Sequence, residues 1–356
     1  MLSRVFVGLS GGVDSAVSAA ILKNQGLNVT GVFIKIWQPE FLECTWKEDR
    51  LDAMRICAAL NIPFRELDLS EEYKKEVVEK MVADYRRGVT PNPDVLCNRS
   101  IKFGAFAEWS KKEGADAIAT GHYAQRHDAL AHFELVRAKD VGKDQSYFLY
   151  RLTQADLARV IFPIGGFLKS EVRAEAKRLA LPVAGKPDSQ GLCFVGDVSM
   201  RDFLSRFIDV MPGPVLDAEG KVIGEHEGAA LYTLGQRHGF KLSGTSGAAQ
   251  YVTGIDVEKN TISVSAQRMS AARSSVLLAD ISWVYREPQL QRSYVAQARY
   301  HETPVGVRLV REGEQIRATF DAPHIASPGQ SLVVYDRETC LGGGIIVEDI
   351  PNQPVL

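Results

Sequence analysis

Over the first 120 residues, short apolar and β-branched runs alternate with stretches in which apolar side chains recur every three or four positions. The first pattern suits strands buried on both faces and the second suits amphipathic helices, so their alternation predicts a parallel sheet flanked by helices. Strands are expected over Arg4–Leu9, Asn28–Ile36, Phe64–Leu69 and Asp116–Thr120. Helices are expected over Val13–Gln25, Lys47–Leu60, Glu71–Arg87 and Arg99–Glu113. The fold class is α/β, with a doubly wound parallel sheet. Ligands of such sheets bind beyond the carboxyl ends of the strands, so Ser10–Ser15, Lys35–Trp37 and Gly121–Tyr123 should converge on one crevice.

The pattern then changes twice. From about residue 144 to 207 it is mainly helical, with helical spacing at Gln154–Val160, Lys169–Leu179 and Ser199–Phe207 separated by Pro and Gly breaks. The connector Leu181–Asp197 has little periodicity, and loops of that length usually carry function. From Pro212 onward, short β runs with turn signals such as PVLDAEGKVIG and VTGIDVEKNTISV read as hairpins, and Val276–Val347 reads as a small barrel. The expected units are 1–143, 144–211, 212–273 and 274–356.

Composition narrows the function classes. A chain of 356 residues is long enough for several buried cores. With 42 basic against 44 acidic side chains it is not a generally basic nucleic-acid coat. Residues 99–214, however, hold 17 basic against 14 acidic groups, which makes this segment the best placed to meet an anion. Five cysteines with no pair at C-x-x-C or metal-ligand spacing argue against a disulfide scaffold or a structural zinc site. No 18-residue apolar window and no leader pattern occur, so reduced thiols, a cytoplasmic location and no membrane partner are expected.

The segment GLSGGVDSAVSAAIL, from Gly8 to Leu22, is the most informative. A strand runs into Ser10-Gly11-Gly12, and a helix begins near Val13 with Asp14 and Ser15 in its first turn. Adjacent glycines let backbone N–H groups approach phosphate oxygens, and the positive end of the helix dipole favours an anion. The Gly-Lys-Ser/Thr of a Walker loop is missing, whereas S-G-G-x-D-S resembles the PP-loop of ATP pyrophosphatases. Asp14 is a candidate to help hold Mg²⁺ on a departing pyrophosphate. A tight turn with a plain helix start is the bland alternative.

Two cysteines lie in irregular, turn-rich text. Cys97 follows TPNPDVL just ahead of the expected helix, a position that lowers a thiol pKa, with Arg99 and Lys102 acting in the same direction. Cys193 lies in KPDSQGLCFVGD. Cys57 is on the apolar face of a helix and Cys340 in a strand-turn region, so both read as small buried hydrophobes. Cys44 is left open.

SGGVDS, TPNPDVLCN, ATGHYA, GKDQSYFLYRL, DSQGLCF, EHEGAALYTLGQRHG and ARYHETP occur in the order seen in bacterial tRNA-specific 2-thiouridylases, and the chain resembles that family from Arg4 to about Glu348. The resemblance implies replacement of the C2 oxygen of the wobble uridine by sulfur in tRNAs for Lys, Glu and Gln. It implies an ATP site at Gly8, Leu9, Ser10, Gly11, Gly12, Val13, Asp14 and Ser15, with Ile34 and Gly121 on the adenine and ribose side. Asn92, Pro93 and Asp94 would meet the target base, with Asp94 as general acid or base. An Asx turn is the structural alternative for Asp94.

Further roles also follow from the resemblance. Cys97 matches the nucleophile and Cys193 the persulfide carrier, and the two would form a transient disulfide. Lys143, Asp144, Gln145, Arg299 and Tyr300 match tRNA-contacting positions, and Lys143, Arg151 and Arg299 suit phosphate binding. A sulfur-relay protein would load Cys193, and the chain is expected to act as a monomer. The target base must leave its stack, so an aromatic or apolar clamp is expected. Either the Cys193 persulfide attacks C2 or Cys97 liberates sulfide that attacks. Two features depart from the family pattern: Gln38–Thr45 is short and weakly acidic, and His301 follows Arg299-Tyr300 where relatives often carry another basic residue. A PP-loop amidating ligase would need the loop but neither cysteine. A non-catalytic RNA-binding protein with a nucleotide pocket is the third reading.

Overall fold

The computed structural model describes residues 3–41, 46–188, 198–243 and 249–347. β1 (Arg4–Leu9), β2 (Asn28–Lys35), β3 (Phe64–Asp68) and β4 (Ala117–Ala119) are parallel, and a hairpin of β5 (Gln125–Asp128) and β6 (Phe133–Val136) precedes the two-residue β7 (Val160–Ile161). The first sheet runs in the order β3-β2-β1-β4-β7. The chain winds outward from β1 to β3 and then restarts at β4, so the switch point, where such sheets bind ligands, lies between β1 and β4. Val5, Phe6 and Val7 of β1 are wholly buried because helices cover both faces. α1 (Val13–Asn24) and α2 (Trp46–Leu60) pack on one side around Val17, Ala20 and Ile56. The helical stretches 70–86 and 93–112 pack on the other around Val77, Met81, Ile101 and Phe106.

The helix expected from Arg99 begins at Pro93 instead. Asn92 caps it by accepting from the Val95 N–H at 3.3 Å, and Pro93 brings its fixed φ to the first helical position. Pro93–Leu96 is α-helical, Cys97–Ala105 is π-helical and Phe106–Lys112 returns to α. Cys97 therefore sits inside a helix rather than on an irregular loop. The Asx-type cap is made by Asn92, which leaves the Asp94 carboxyl for another use.

A second sheet, β10-β9-β8-β12-β11, is built from β8 (Gly213–Leu216), β9 (Val222–His226), β10 (Phe240–Leu242), β11 (Tyr251–Asp256) and β12 (Thr261–Ser265). The last unit is a closed antiparallel barrel of β13 (Arg273–Trp283), β14 (Ser293–Gln297), β15 (Val305–Glu312), β16 (Gln315–His324), β17 (Ser331–Asp336) and β18 (Thr339–Val347), with β13 pairing to both β16 and β18. Leu278, Val307, Leu309, Ile316, Leu332 and Val334 fill it.

Two elements cross the unit boundaries. β7, inside text that reads as helical, pairs with β4 and completes the first sheet. The β5–β6 hairpin joins the barrel sheet through β6 and β18, with Cys340 opposite Leu135. Its first strand, QRHD, is polar and has no apolar alternation to announce it, so backbone pairing decides the structure there. The β units also hold the segment that leads to Cys97. The Gln330 side-chain amide donates to the carbonyls of Thr90 and Pro91 at 2.9 Å each, and the Thr90 and Thr233 hydroxyls meet at 2.8 Å.

Candidate active site

The loop after β1, the end of β2, the segment after β4 and the start of the 93–112 helix line one cavity of about 720 Å³. Tyr300 and His301 of the barrel unit complete its wall. The cavity brings together Gly8, Leu9, Ser10, Gly12, Val13, Asp14, Ser15, Ile34, Asp94, Cys97, Gly121, Lys143, Gln145 and Tyr300 of the expected residues. Gly11 shapes the loop from behind: its φ is +73°, and a Cβ there would lie 2.5 Å from the Asp49 carbonyl oxygen. Cys193 and Cys44 lie outside the described residues.

The phosphate-loop end follows from local geometry. Gly12 is the N-cap of α1 and no side chain caps that terminus, so its first N–H groups keep their capacity for an anion. The Ser15 hydroxyl donates to the Gly12 carbonyl at 3.1 Å and accepts from the Ser10 N–H at 3.3 Å, which fixes the curl of the loop. Gly121 is required by contact: a Cβ would lie 2.7 Å from the Ser15 nitrogen. Asp14 is not poised as a bare metal ligand. Lys169 Nζ donates to both of its carboxylate oxygens at 2.8 Å, and the Tyr123 hydroxyl donates to one at 2.9 Å. Among the described residues no group of three or more His, Cys, Asp or Glu side chains is placed to hold a metal ion.

Several charged groups here were not singled out from the sequence. Asp188 accepts from Lys143 and Lys169 at 2.9 Å each and from Arg173. Burial would raise its pKa, but the bonds from Lys169 and Lys143 outweigh it and hold the carboxyl far below the ordinary range. Lys186 pairs with Asp49 at 2.8 Å and Asp52 at 2.7 Å. Only Lys169 and Arg173 had a readable cue, since helical spacing four apart puts both on one face.

At the other end the 93–112 helix supplies Asp94, Cys97, Asn98, Ile101 and Lys102 to the cavity. Asp94 and Cys97 lie three residues apart, on one helical face. Cys97 is buried, with 5% of its surface exposed. Burial raises the Asp94 pKa, against a smaller opposing effect of Lys102. His122, a histidine given no role from the sequence, is buried beside them. Its Nδ1 meets the Thr120 hydroxyl at 2.8 Å and its Nε2 meets Lys102 Nζ at 3.5 Å. Burial, reinforced by Lys102, drives its pKa well below 6.5 and keeps the ring neutral. A neutral ring accepting at Nε2 carries its proton on Nδ1, directed at Thr120. Phe148 and Tyr300 close this end with ring centroids 4.4 Å apart, and the His301 ring, tilted by 40°, lies 3.9 Å from that of Tyr300, with the His301 φ at +61°.

Some expected contacts fall elsewhere. Asp144 is buried, and its carboxylate accepts from the Ala138 and Ser146 N–H groups, the Ser146 hydroxyl and Arg137, so its side chain organises the protein interior. Arg299 donates to the Leu234 carbonyl at 2.6 Å and is directed into the junction between the β units. Arg151 forms a two-pronged pair with Asp280 at 2.6 and 2.8 Å and is likewise taken up in a domain contact. Asn92 and Pro93 shape the helix start and do not line the cavity. Arg99 pairs with Asp156 at 3.5 Å. Cys57 and Cys340 are buried, and burial pushes their thiols up to about 11 and about 12.

A phosphate-type loop at the switch point of a parallel α/β sheet, with the barrel unit closing the same cavity around a thiol and a desolvated carboxyl, defines a multidomain α/β enzyme class. Residues 3–197 match the tRNA methyl transferase HUP domain, 201–266 the tRNA methyl transferase PRC-barrel domain and 273–346 the Aminomethyltransferase beta-barrel domain. The tRNA-specific 2-thiouridylase MnmA of Nitrosomonas eutropha is 44% identical over 358 residues, covering 98% of this chain and 99% of that protein. The tRNA-specific 2-thiouridylase MnmA of Cupriavidus metallidurans is 45% identical over 354 residues, covering 96% and 99%. Among solved structures, the U34-tRNA thiolase NcsA from Methanococcus maripaludis is 20% identical, with a TM-score of 0.36 over 58% of this chain and 64% of that one. The chain belongs to the tRNA-specific 2-thiouridylase family, which makes it a tRNA sulfurtransferase.

Proposed function

We propose that this protein uses ATP to replace the C2 oxygen of the wobble uridine by sulfur in tRNAs for Lys, Glu and Gln. The observation that carries the reading is a single cavity that runs from the uncapped amides of α1 to Cys97 and Asp94.

A uracil C2 oxygen is a poor leaving group, so adenylation comes first. The α1 amides and the loop hold the phosphates, pyrophosphate departs, and AMP becomes the group to be displaced. Magnesium would travel with ATP as the counterion of its phosphates, and Asp14 is the carboxylate nearest to serve it once Lys169 gives way. The terminal sulfur of a Cys193 persulfide, loaded by a sulfur-relay protein, then bonds to C2 as AMP leaves. Cys97 attacks the Cys193 sulfur, which frees the thiolated base and leaves a Cys97–Cys193 disulfide for reduction. In the alternative order Cys97 cleaves the persulfide first, and the released sulfide bonds to C2. In either order Asp94, three residues ahead of Cys97, moves the proton at the reacting atoms, and its burial raises its pKa above that of an ordinary aspartate, the direction that suits a general acid. Phe148 and Tyr300 offer ring faces to the extruded base. Lys143, Gln145 and Tyr300 are the tRNA-facing candidates that line the cavity. The chain acts as a monomer in this reading.

The test is nucleoside mass spectrometry of tRNA from cells with and without the gene. Loss of 2-thiouridine derivatives on deletion, restored by the intact chain but not by Cys97→Ala, is the expected result. Unchanged 2-thiouridine in the deletion strain overturns the proposal, and restoration by Cys97→Ala favours a reaction that needs no thiol, such as amidation.

A further inference from the structure

The Asp188 carboxylate stands in the cavity with three cations on it. Lys143 and Lys169 reach it at 2.9 Å each, and Arg173 holds a third side. These cations come from two separate stretches of chain: Lys143 lies ahead of the Ser146–Leu149 turn, and Lys169 and Arg173 lie one turn apart on the Lys169–Arg178 helix. Lys169 also bridges to Asp14 in the first turn of α1, so the cluster faces the phosphate loop directly. Lys143, Lys169 and Asp188 line the cavity, whereas Arg173 stands behind them and also donates to the Lys186 carbonyl at 3.0 Å.

Three cationic side chains converge on this one carboxylate, beside the phosphate loop. So many donors on one group suit a ligand with more acceptor oxygens than a carboxylate, such as a phosphate chain. The two lysines are point donors on flexible stems and can follow an incoming group. Arg173, with its rigid fork and second anchor, is suited to keep what it holds.

Building on the ATP reading above, we infer that Asp188 is an internal stand-in for phosphate. Its carboxylate occupies a cradle of Lys143 and Lys169 that receives the terminal phosphates of the nucleotide, and it withdraws onto Arg173 when they arrive. Asp188 is thus a competitor of the ligand, although it lies within the ligand's own site. A structural ion pair at this place would make the opposite prediction, because removing its charge would disorder the lysines and weaken binding.

The experiment is calorimetric titration of the full-length protein with inorganic pyrophosphate and, separately, with MgATP. Asp188→Asn is expected to bind pyrophosphate roughly twofold to fivefold tighter than the wild type, the scale of one partly exposed ion pair no longer broken on binding. Lys143→Met and Lys169→Met are each expected to weaken it by about tenfold or more, and adenosine affinity should stay unchanged in all three. Thermal melting of each variant reports folding, and the two lysine variants test the cradle independently of Asp188. Equal or weaker pyrophosphate binding by Asp188→Asn overturns the stand-in role, and unchanged binding by both lysine variants overturns the cradle. If the wild type binds pyrophosphate and MgATP in either case, the ATP reading survives. A wild type that binds neither ligand removes the ATP reading and this inference with it.

Discussion

The two ends of the cavity use the same residue types in opposite ways. At the phosphate-loop end, aspartate meets lysine: Asp14 with Lys169, Asp188 with Lys143 and Lys169, and Asp49 with Lys186. There Asp188 is held ionised. At the thiol end burial is the leading influence on Asp94 and His122, which pushes the first toward the neutral acid and keeps the second a neutral base. The contrast separates two tasks. Paired charges hold and release an anion, whereas desolvated groups with displaced pKa values hold and move protons.

The sharpest way to break this comparison is to remove the thiol. Cys97→Ser should reduce ATP-dependent thiolation of a tRNA transcript to background while MgATP binding by calorimetry stays at the wild-type level. A variant that thiolates at full rate, or that also loses ATP, would merge the two ends into one. Next in size is Asp94→Asn, for which a loss of about 10² to 10⁴ in single-turnover rate is expected if the carboxyl transfers a proton. Its pH profile supplies the sign. A raised pKa keeps the acid form present to higher pH than an ordinary aspartate, so the wild-type rate should fall as pH rises through that value, and the asparagine variant should lack this limb. An identical profile in both proteins would remove Asp94 from the proton step.

Gly121→Ala probes the phosphate end without touching a charge. Its new Cβ would meet the Ser15 nitrogen at 2.7 Å and the Asp14 carbonyl carbon at 2.9 Å. Overpacking of this kind costs about 1 to 3 kcal/mol, so a lower melting temperature and weaker MgATP binding are expected together, and unaltered values in both would show that the loop yields freely. The smallest effect is on acid stability. His122 has a folded-state pKa well below the ordinary 6.5, so below about pH 6.5 the unfolded chain takes up a proton that the folded chain refuses. Stability is then lost as pH falls, by up to about 1.4 kcal/mol per pH unit for that one proton. His122→Gln should flatten the dependence of urea stability on pH between 6.5 and 5. It should leave in place a weaker dependence from His226, whose pKa burial also lowers. An unchanged slope would mean that His122 is protonated in the folded protein.

Motifs carried by local backbone were legible in the chain. The strand, paired glycines and helix of Gly8–Leu22 are a contiguous device whose geometry depends on neighbours a few positions away, and β1 to β4 follow from runs of buried β-branched residues. Helix boundaries were less legible, since Asn92 and Pro93 start a helix where two prolines suggest a loop. β7 and the docking of the β5–β6 hairpin were not legible because β7 and β6 each pair with a strand far along the chain, and polar β5 has no apolar alternation. For the same reason Arg299 and Arg151 read as phosphate-binding cations, and only the packed domains reveal Leu234 and Asp280 as their partners. Asp188 and His122 lie inside motifs that were legible, DSQGLCF and ATGHYA, but their roles were not, since a lone aspartate or histidine acquires its role from what surrounds it.

The sequence by itself determined a nucleotide-type loop at the head of an α/β sheet, a thiol three residues after an aspartate, and β units to follow, because each depends on short-range spacing. The tertiary structure decided which charges are neutralised and which are desolvated. Lys169 lies 155 positions from Asp14, and Tyr300 more than 150 from Phe148, yet they line the same cavity. Proton affinity depends on burial and on charges within a few ångströms, and the fold sets both.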